Sequence, residues 1–128
     1  MMKIDHIAIW VDDLEGMKNF YVKYFGCSVS AKYENQAKQF SSYFLSFGDG
    51  TRVELMHRTD IVERESNDKL GLTHLAFRLE SREVVNKLTT TFAEDGFAVE
   101  GSPRVTGDGY YESVVFDPEN NRLELVAE

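Results

Sequence analysis

From Lys3 to Val11 apolar and polar or small residues alternate. Ile7, Ile9 and Val11 share one parity and His6, Ala8 and Trp10 the other, a period of two that predicts a strand. The period then lengthens. Leu14, Met17, Tyr21, Tyr24 and Phe25 fall at helical spacing, with Asp12 and Glu15 as a capping box before them and Gly26 as the stop. Three shorter strands follow at about 28–35, 39–47 and 51–58, and Gly48-Asp49-Gly50 turns between the last two. The same order then returns. Gly71 to Glu80 reads as a strand, Ser81 caps a helix carrying Val84, Leu88 and Phe92, and Gly96 ends it. Strands at about 97–104, 110–116 and 121–127 complete this half, with Asp117-Pro118-Glu119-Asn120 as a turn. The pattern predicts an α+β protein of two tandem βαβββ modules, about 1–58 and 71–128, joined by a polar linker at 59–70 within one domain, 1–128. The two mixed sheets are expected to form a curved cup with the helices on its outer face.

The two halves are also alike residue by residue. Asp5-His6-Ile7-Ala8-Ile9 parallels Thr73-His74-Leu75-Ala76-Phe77, and Arg52-Val53-Glu54-Leu55-Met56 parallels Arg122-Leu123-Glu124-Leu125-Val126. His6 precedes Glu54 by 48 positions and His74 precedes Glu124 by 50. Strand parity then sorts the faces. Ile7, Ile9, Val53 and Leu55 in one half, and Leu75, Phe77, Leu123 and Leu125 in the other, form aliphatic faces suited to the helices. His6, Glu54, His74 and Glu124 fall on the opposite, concave face, where Ala8 and Ala76 leave room beside the imidazoles. Two carboxylates in one apolar cup repel each other and resist desolvation unless a cation holds them. These four residues are therefore the expected ligands of one divalent ion. Two imidazoles and two carboxylates suit Zn²⁺, Ni²⁺, Co²⁺, Fe²⁺ or Mn²⁺ better than Ca²⁺ or Mg²⁺. Four protein ligands leave an octahedral ion two positions for water or substrate, which marks a catalytic site. His57 has the other parity and is expected at the surface.

Charge and cysteine content narrow the partners. Against 14 basic residues stand 22 acidic ones, a net charge of −8 that disfavours nucleic acid and anionic membranes as partners. The single cysteine, Cys27, excludes an intrachain disulfide and reads as a packed core thiol. With no apolar run of transmembrane length and no signal segment at Met1–His6, the expected location is the cytoplasm.

The βαβββ duplication with these ligands resembles the vicinal oxygen chelate superfamily of glyoxalases, bleomycin-binding proteins and dioxygenases. The resemblance spans nearly the whole chain. It is carried by Asp5-His6-Ile7-Ala8, by Gly71-Leu72-Thr73-His74-Leu75-Ala76 and by Phe116 to Leu125. The full His/Glu/His/Glu set looks most like bacterial glyoxalase I. That resemblance implies a metal acting as Lewis acid on a hemithioacetal, with Glu124 and Glu54 as the catalytic carboxylates that move a proton between adjacent carbons through an enediolate. It also implies a homodimer in which His6 and Glu54 of one chain face His74 and Glu124 of its partner.

This sequence departs from the glyoxalase I pattern where that family holds glutathione carboxylates. Trp10 stands in the place of an Arg and Arg58 in the place of an Asn. An indole cannot pair a carboxylate, so Trp10 either stacks on an aromatic or apolar substrate group or packs under the linker. Arg58 either binds an anion or is an exposed strand-end residue. Tyr111, with Tyr110 and the Gly107-Asp108-Gly109 loop, is expected at the pocket mouth. The leading expectation is a metal-dependent lyase or isomerase acting on a small thiol adduct or related carbonyl compound. The alternatives are a thiol transferase or oxygenase of the same superfamily, or a non-enzymatic binding or resistance protein.

Overall fold

Helix caps and hairpin turns position everything that follows. In the computed structural model, which describes residues 1–66 and 68–128, the chain divides into two units, Met1–Arg64 and Glu65–Glu128. Asn67, within the predicted linker, lies outside the described residues.

The first unit comprises β1 (Ile7–Trp10), α1 (Leu14–Phe25), β2 (Ser28–Val29), β3 (Tyr33–Asn35), a 3-10 turn (Gln36–Lys38), β4 (Phe40–Ser46) and β5 (Arg52–Arg58). Its sheet runs β1-β5-β4-β2, with β3 also on β4; β1 is parallel to β5 and the other pairs are antiparallel. The second unit repeats this with β6 (Leu75–Arg78), α2 (Arg82–Glu94), β7 (Val99–Val105), β8 (Tyr111–Phe116) and β9 (Arg122–Ala127), in the order β6-β9-β8-β7. Here β6 is parallel to β9. Both units are thus βαβββ modules, the first with its second strand in two pieces.

Three details differ from the sequence reading, each for a local reason. β1 and β6 are shorter than predicted because a strand needs a partner: their ladders begin at Ile7↔Val53 and Leu75↔Leu123, beside the first residues of β5 and β9. The predicted strand at 28–35 breaks because the Ser30 hydroxyl accepts the Phe44 amide at 2.9 Å, so a side chain takes a carbonyl's place in the ladder. The α1 cap is Asp13, not Asp12. Its carboxylate accepts the Gly16 amide at 2.9 Å, and a β-carbon at Gly16 would sit 2.3 Å from that carboxylate. Glu15 does not complete a capping box; it accepts from the Tyr43 hydroxyl at 2.9 Å. Gly26 ends the helix at φ 64, as expected of an αL stop.

Each module buries its helix stripe on one face of its sheet. Leu14, Met17, Phe20 and Tyr21 of α1 are buried with Leu45, Val53 and Leu55. In α2 the stripe is Val85, Thr89 and Phe92, buried with Val115, Leu123 and Leu125; Val84, predicted inside, is exposed. The shift of one residue comes from Thr89, whose polarity hides it from a hydrophobic count. Its hydroxyl donates to the Val85 carbonyl at 2.6 Å and shares a 2.7 Å hydrogen bond with Ser113. Cys27 is buried, and burial pushes its thiol pKa up, so it is a packed thiol and not a thiolate.

Candidate functional site

Register places one His–Glu pair in each module. In the parallel ladders Ala8 lies opposite Glu54 and Ala76 opposite Glu124, so all four share the face away from the helix. His6 and His74, two positions before those alanines, reach the same face. His6 Nε2 lies 3.4 Å from Glu54 Oε1, and His74 Nε2 lies 3.2 Å from Glu124 Oε1. Glu54 and Glu124 are mostly covered, at 15% and 22% side-chain exposure. Among the described residues no three His, Cys, Asp or Glu side chains gather at one point; the donors come as one pair per module.

The first pair has a further support. His6 Nδ1 is 2.8 Å from Asp5 Oδ2, and the same oxygen accepts from Arg52 at 2.5 Å. The hydrogen bond from His6, then that from Arg52, holds the Asp5 carboxyl below its ordinary range. An ionised Asp5 fixes the ring proton on Nδ1 and leaves the Nε2 lone pair facing Glu54. Two lone pairs so close require a proton or a cation between them. This carboxylate–imidazole arrangement is the one that orients histidines toward a divalent ion. The donor set fits such an ion.

The second pair carries a residue that sequence reasoning missed. Val114 lies opposite Glu124 and Glu112 opposite Val126, so Glu112 shares the open face with Glu124. It is buried at 7% exposure, with its carboxyl beside that of Glu124. Burial, and then the neighbouring Glu112 carboxyl, pushes the Glu124 pKa above the ordinary carboxylate range, while the His74 charge pulls it down. The parity of Glu112 was readable, but its partner strand's register was not. The first module has Ser42 at the matching place, opposite Met56.

Tyr111 is corrected by the same ladder. It pairs with Ala127 and alternates with Glu112, which puts it on the helix side. There its hydroxyl donates to Asn86 at 2.5 Å and the Arg82 guanidinium lies 4.9 Å from its ring centre, both from α2. Tyr111 therefore braces the helix and does not face the His74–Glu124 pair. The Gly107–Gly109 segment is a hairpin turn closed on itself, with the Gly109 amide donating to Thr106 and the Thr106 amide to Tyr110. His57 is half-buried, with Nδ1 3.0 Å from the Val11 carbonyl, and is not the surface residue expected.

Beyond the His6–Glu54 pair the open face of the first module continues. Ladder partners put Phe44, Ser42 and Phe40 of β4 on the side of Glu54, Met56 and Arg58, with Tyr33 and Asn35 of β3 beside them. Phe44 meets His6 edge-on at 5.0 Å. At the far end Trp10 and Arg58 are brought together, the guanidinium 5.2 Å from the indole centre. Arg58 also pairs with Asp60 at 2.5 Å. Trp10, Tyr33, Asn35, Phe40, Arg58 and Asp60 line an open cleft of about 710 Å³ within the first module. In the second module the matching places hold Arg78 and Glu128, 3.3 Å apart.

Residues 3–125 match the family model described as the Glyoxalase/Bleomycin resistance protein/Dioxygenase superfamily. A Vibrio cholerae protein named probable lactoylglutathione lyase is 26% identical, with 97% of this chain and 89% of that protein covered. The crystal structure of a glyoxalase family protein from Enterococcus faecalis is 31% identical, with a TM-score of 0.79 over 97% of this chain and 96% of that one. A glyoxylase/bleomycin resistance protein/dioxygenase domain from Frankia sp. EAN1pec, at 18% identity, shares the fold with a TM-score of 0.83, covering 99% of this chain and 92% of that one. No helix among the described residues is long and apolar enough to cross a membrane.

Proposed function

Because the chain belongs to the glyoxalase/bleomycin resistance protein/dioxygenase superfamily, we propose that it is a metal-dependent lyase or isomerase of the glyoxalase I type, acting on a hemithioacetal or related carbonyl compound. The observation that carries this reading is the duplicated pair: a histidine Nε2 against a glutamate Oε1, at 3.4 and 3.2 Å, at matching register in both modules. His6, Glu54, His74 and Glu124 would hold one divalent ion, of Ni, Zn, Co, Fe or Mn, at a site shared by the two chains of a homodimer. When bound, that ion supplies Lewis acidity to the substrate oxygens. The protein's own part is proton transfer. Glu124 takes the proton from one carbon and returns it to its neighbour. Glu54 is its counterpart from the other module. Asp5 keeps His6 in the tautomer that presents Nε2.

Metal analysis tests this directly. Protein purified without chelators is expected to carry about one ion per set of four ligands and, given that ion, to isomerise methylglyoxal adducts of at least one small thiol. His6→Ala and His74→Ala should lose the ion, while His57→Ala, outside the set, should keep it. Full occupancy in the His74→Ala protein would overturn the assignment.

A further inference from the structure

We infer that the cleft at the far end of the His6–Glu54 strip recognises a planar aromatic group bearing a negative charge. Its walls are aromatic and unusually open. Trp10 is 42% exposed and Tyr33 55%, although large rings normally gain by burial. Phe40 stands between them, edge-on to Trp10 at 6.2 Å and 85°, and to Tyr33 at 6.0 Å and 62°. Arg58 covers one face of Trp10, and a flat ligand would stack on the ring faces that remain at this corner. A cleft of about 710 Å³ is ample for a small ligand.

The charge at the rim selects the sign of that ligand. Arg58 is balanced by Asp60, and Lys38 adds a second cation with no carboxylate within ion-pair distance among the described residues. The cleft therefore carries a net positive charge in a chain whose total is −8. A neutral arene would leave that charge unanswered, and an aliphatic acid would leave the ring faces unused. An aryl carboxylate answers both.

Position links the cleft to the chemistry. Arg58 lies four residues after Glu54 on β5, and Trp10 four after His6, so cleft and pair are about 13 Å apart on one face. That this cleft receives the distal part of the substrate rests on the proposed metal site; the binding itself does not.

The single tryptophan makes the test local, since the metal-free protein has one indole N–H resonance. Titration with 2-naphthoate should shift it saturably. Cyclohexanecarboxylate, which lacks the flat ring, and 2-naphthamide, which lacks the charge, should bind at least about tenfold more weakly, each such preference being worth about 1.4 kcal/mol. Lys38→Ala should weaken naphthoate several-fold and leave naphthamide unchanged. His6→Ala should bind naphthoate like the parent protein even though it loses the metal, which separates this inference from the metal site. No saturable shift, or equal affinity for cyclohexanecarboxylate, would overturn it.

Discussion

Glu112 is the residue whose neighbourhood changes most once the sheet is assembled. A strand glutamate is ordinarily solvated, yet this one is buried against Glu124, and burial together with that contact raises the Glu124 pKa. A carboxyl raised in the folded state contributes stability below its unfolded value, near 4.5, and that contribution is lost as pH rises through the folded value. In the metal-free protein the Glu124 contribution therefore fades as pH rises above 4.5, against the opposite trend of the carboxyls held low, such as Asp5 and Glu15. Glu112→Gln keeps a hydrogen-bonding group and removes one of the two charges. In chelator at neutral pH it should raise Tm by a few degrees, roughly 2–5 °C, and this gain should shrink toward pH 4. Thermal denaturation followed by circular dichroism checks both. A variant that melts lower than the parent at neutral pH would show that Glu112 is structurally required in its charged form.

At the scale of elements, α2 separates pattern from packing. A hydrophobic count puts Val84 inward, while the structure turns Val85, Thr89 and Phe92 to the sheet. The two valines are adjacent and chemically identical, so they form a controlled pair. Val85→Ala should cost about 2 kcal/mol, near the value of a fully buried valine, and Val84→Ala within about 0.5 kcal/mol. Urea denaturation of both variants measures the difference. A larger cost for Val84→Ala than for Val85→Ala would mean that the helix sits in the other phase. The same helix braces β8 through Asn86 and Tyr111, which keeps the strand carrying Glu112 in register.

At the scale of the molecule, the two His–Glu pairs belong to separate modules, and the proposed homodimer joins them across chains. Mixing two inactive proteins distinguishes that arrangement from a site within one chain. His6→Ala and Glu124→Ala damage different modules. If sites are shared, a heterodimer has one doubly damaged site and one intact site. Random pairing makes half the dimers heterodimers, so refolding the mixture should restore about a quarter of parental activity. If each site lies within one chain, every site stays broken and nothing returns. Heterodimer formation, followed by mass spectrometry, makes a null result decisive against sharing.

The residues of the candidate site were legible in the linear chain because strand parity is local. Side chains alternate whatever the strand pairs with, so His6, Ala8 and Trp10 had to share a face, as did Glu54, Met56 and Arg58. Duplication then showed that the arrangement occurs twice. What tertiary structure decided depends on contacts between distant residues. The lengths of β1 and β6 follow from where β5 and β9 begin. Glu112 meets Glu124, and Tyr111 turns to α2, because the β8–β9 hairpin sets their register. Its turn is held by Asp117, which accepts the amides of Glu119 and Asn121 at 2.9 Å while Asn120 adopts φ 63. The cleft beside Trp10 draws its walls from β1, β3, β4 and β5, and no local pattern predicts that Phe40 and Tyr33 arrive there. Alternation assigns a side chain to a face, and only cross-strand pairing assigns it a neighbour.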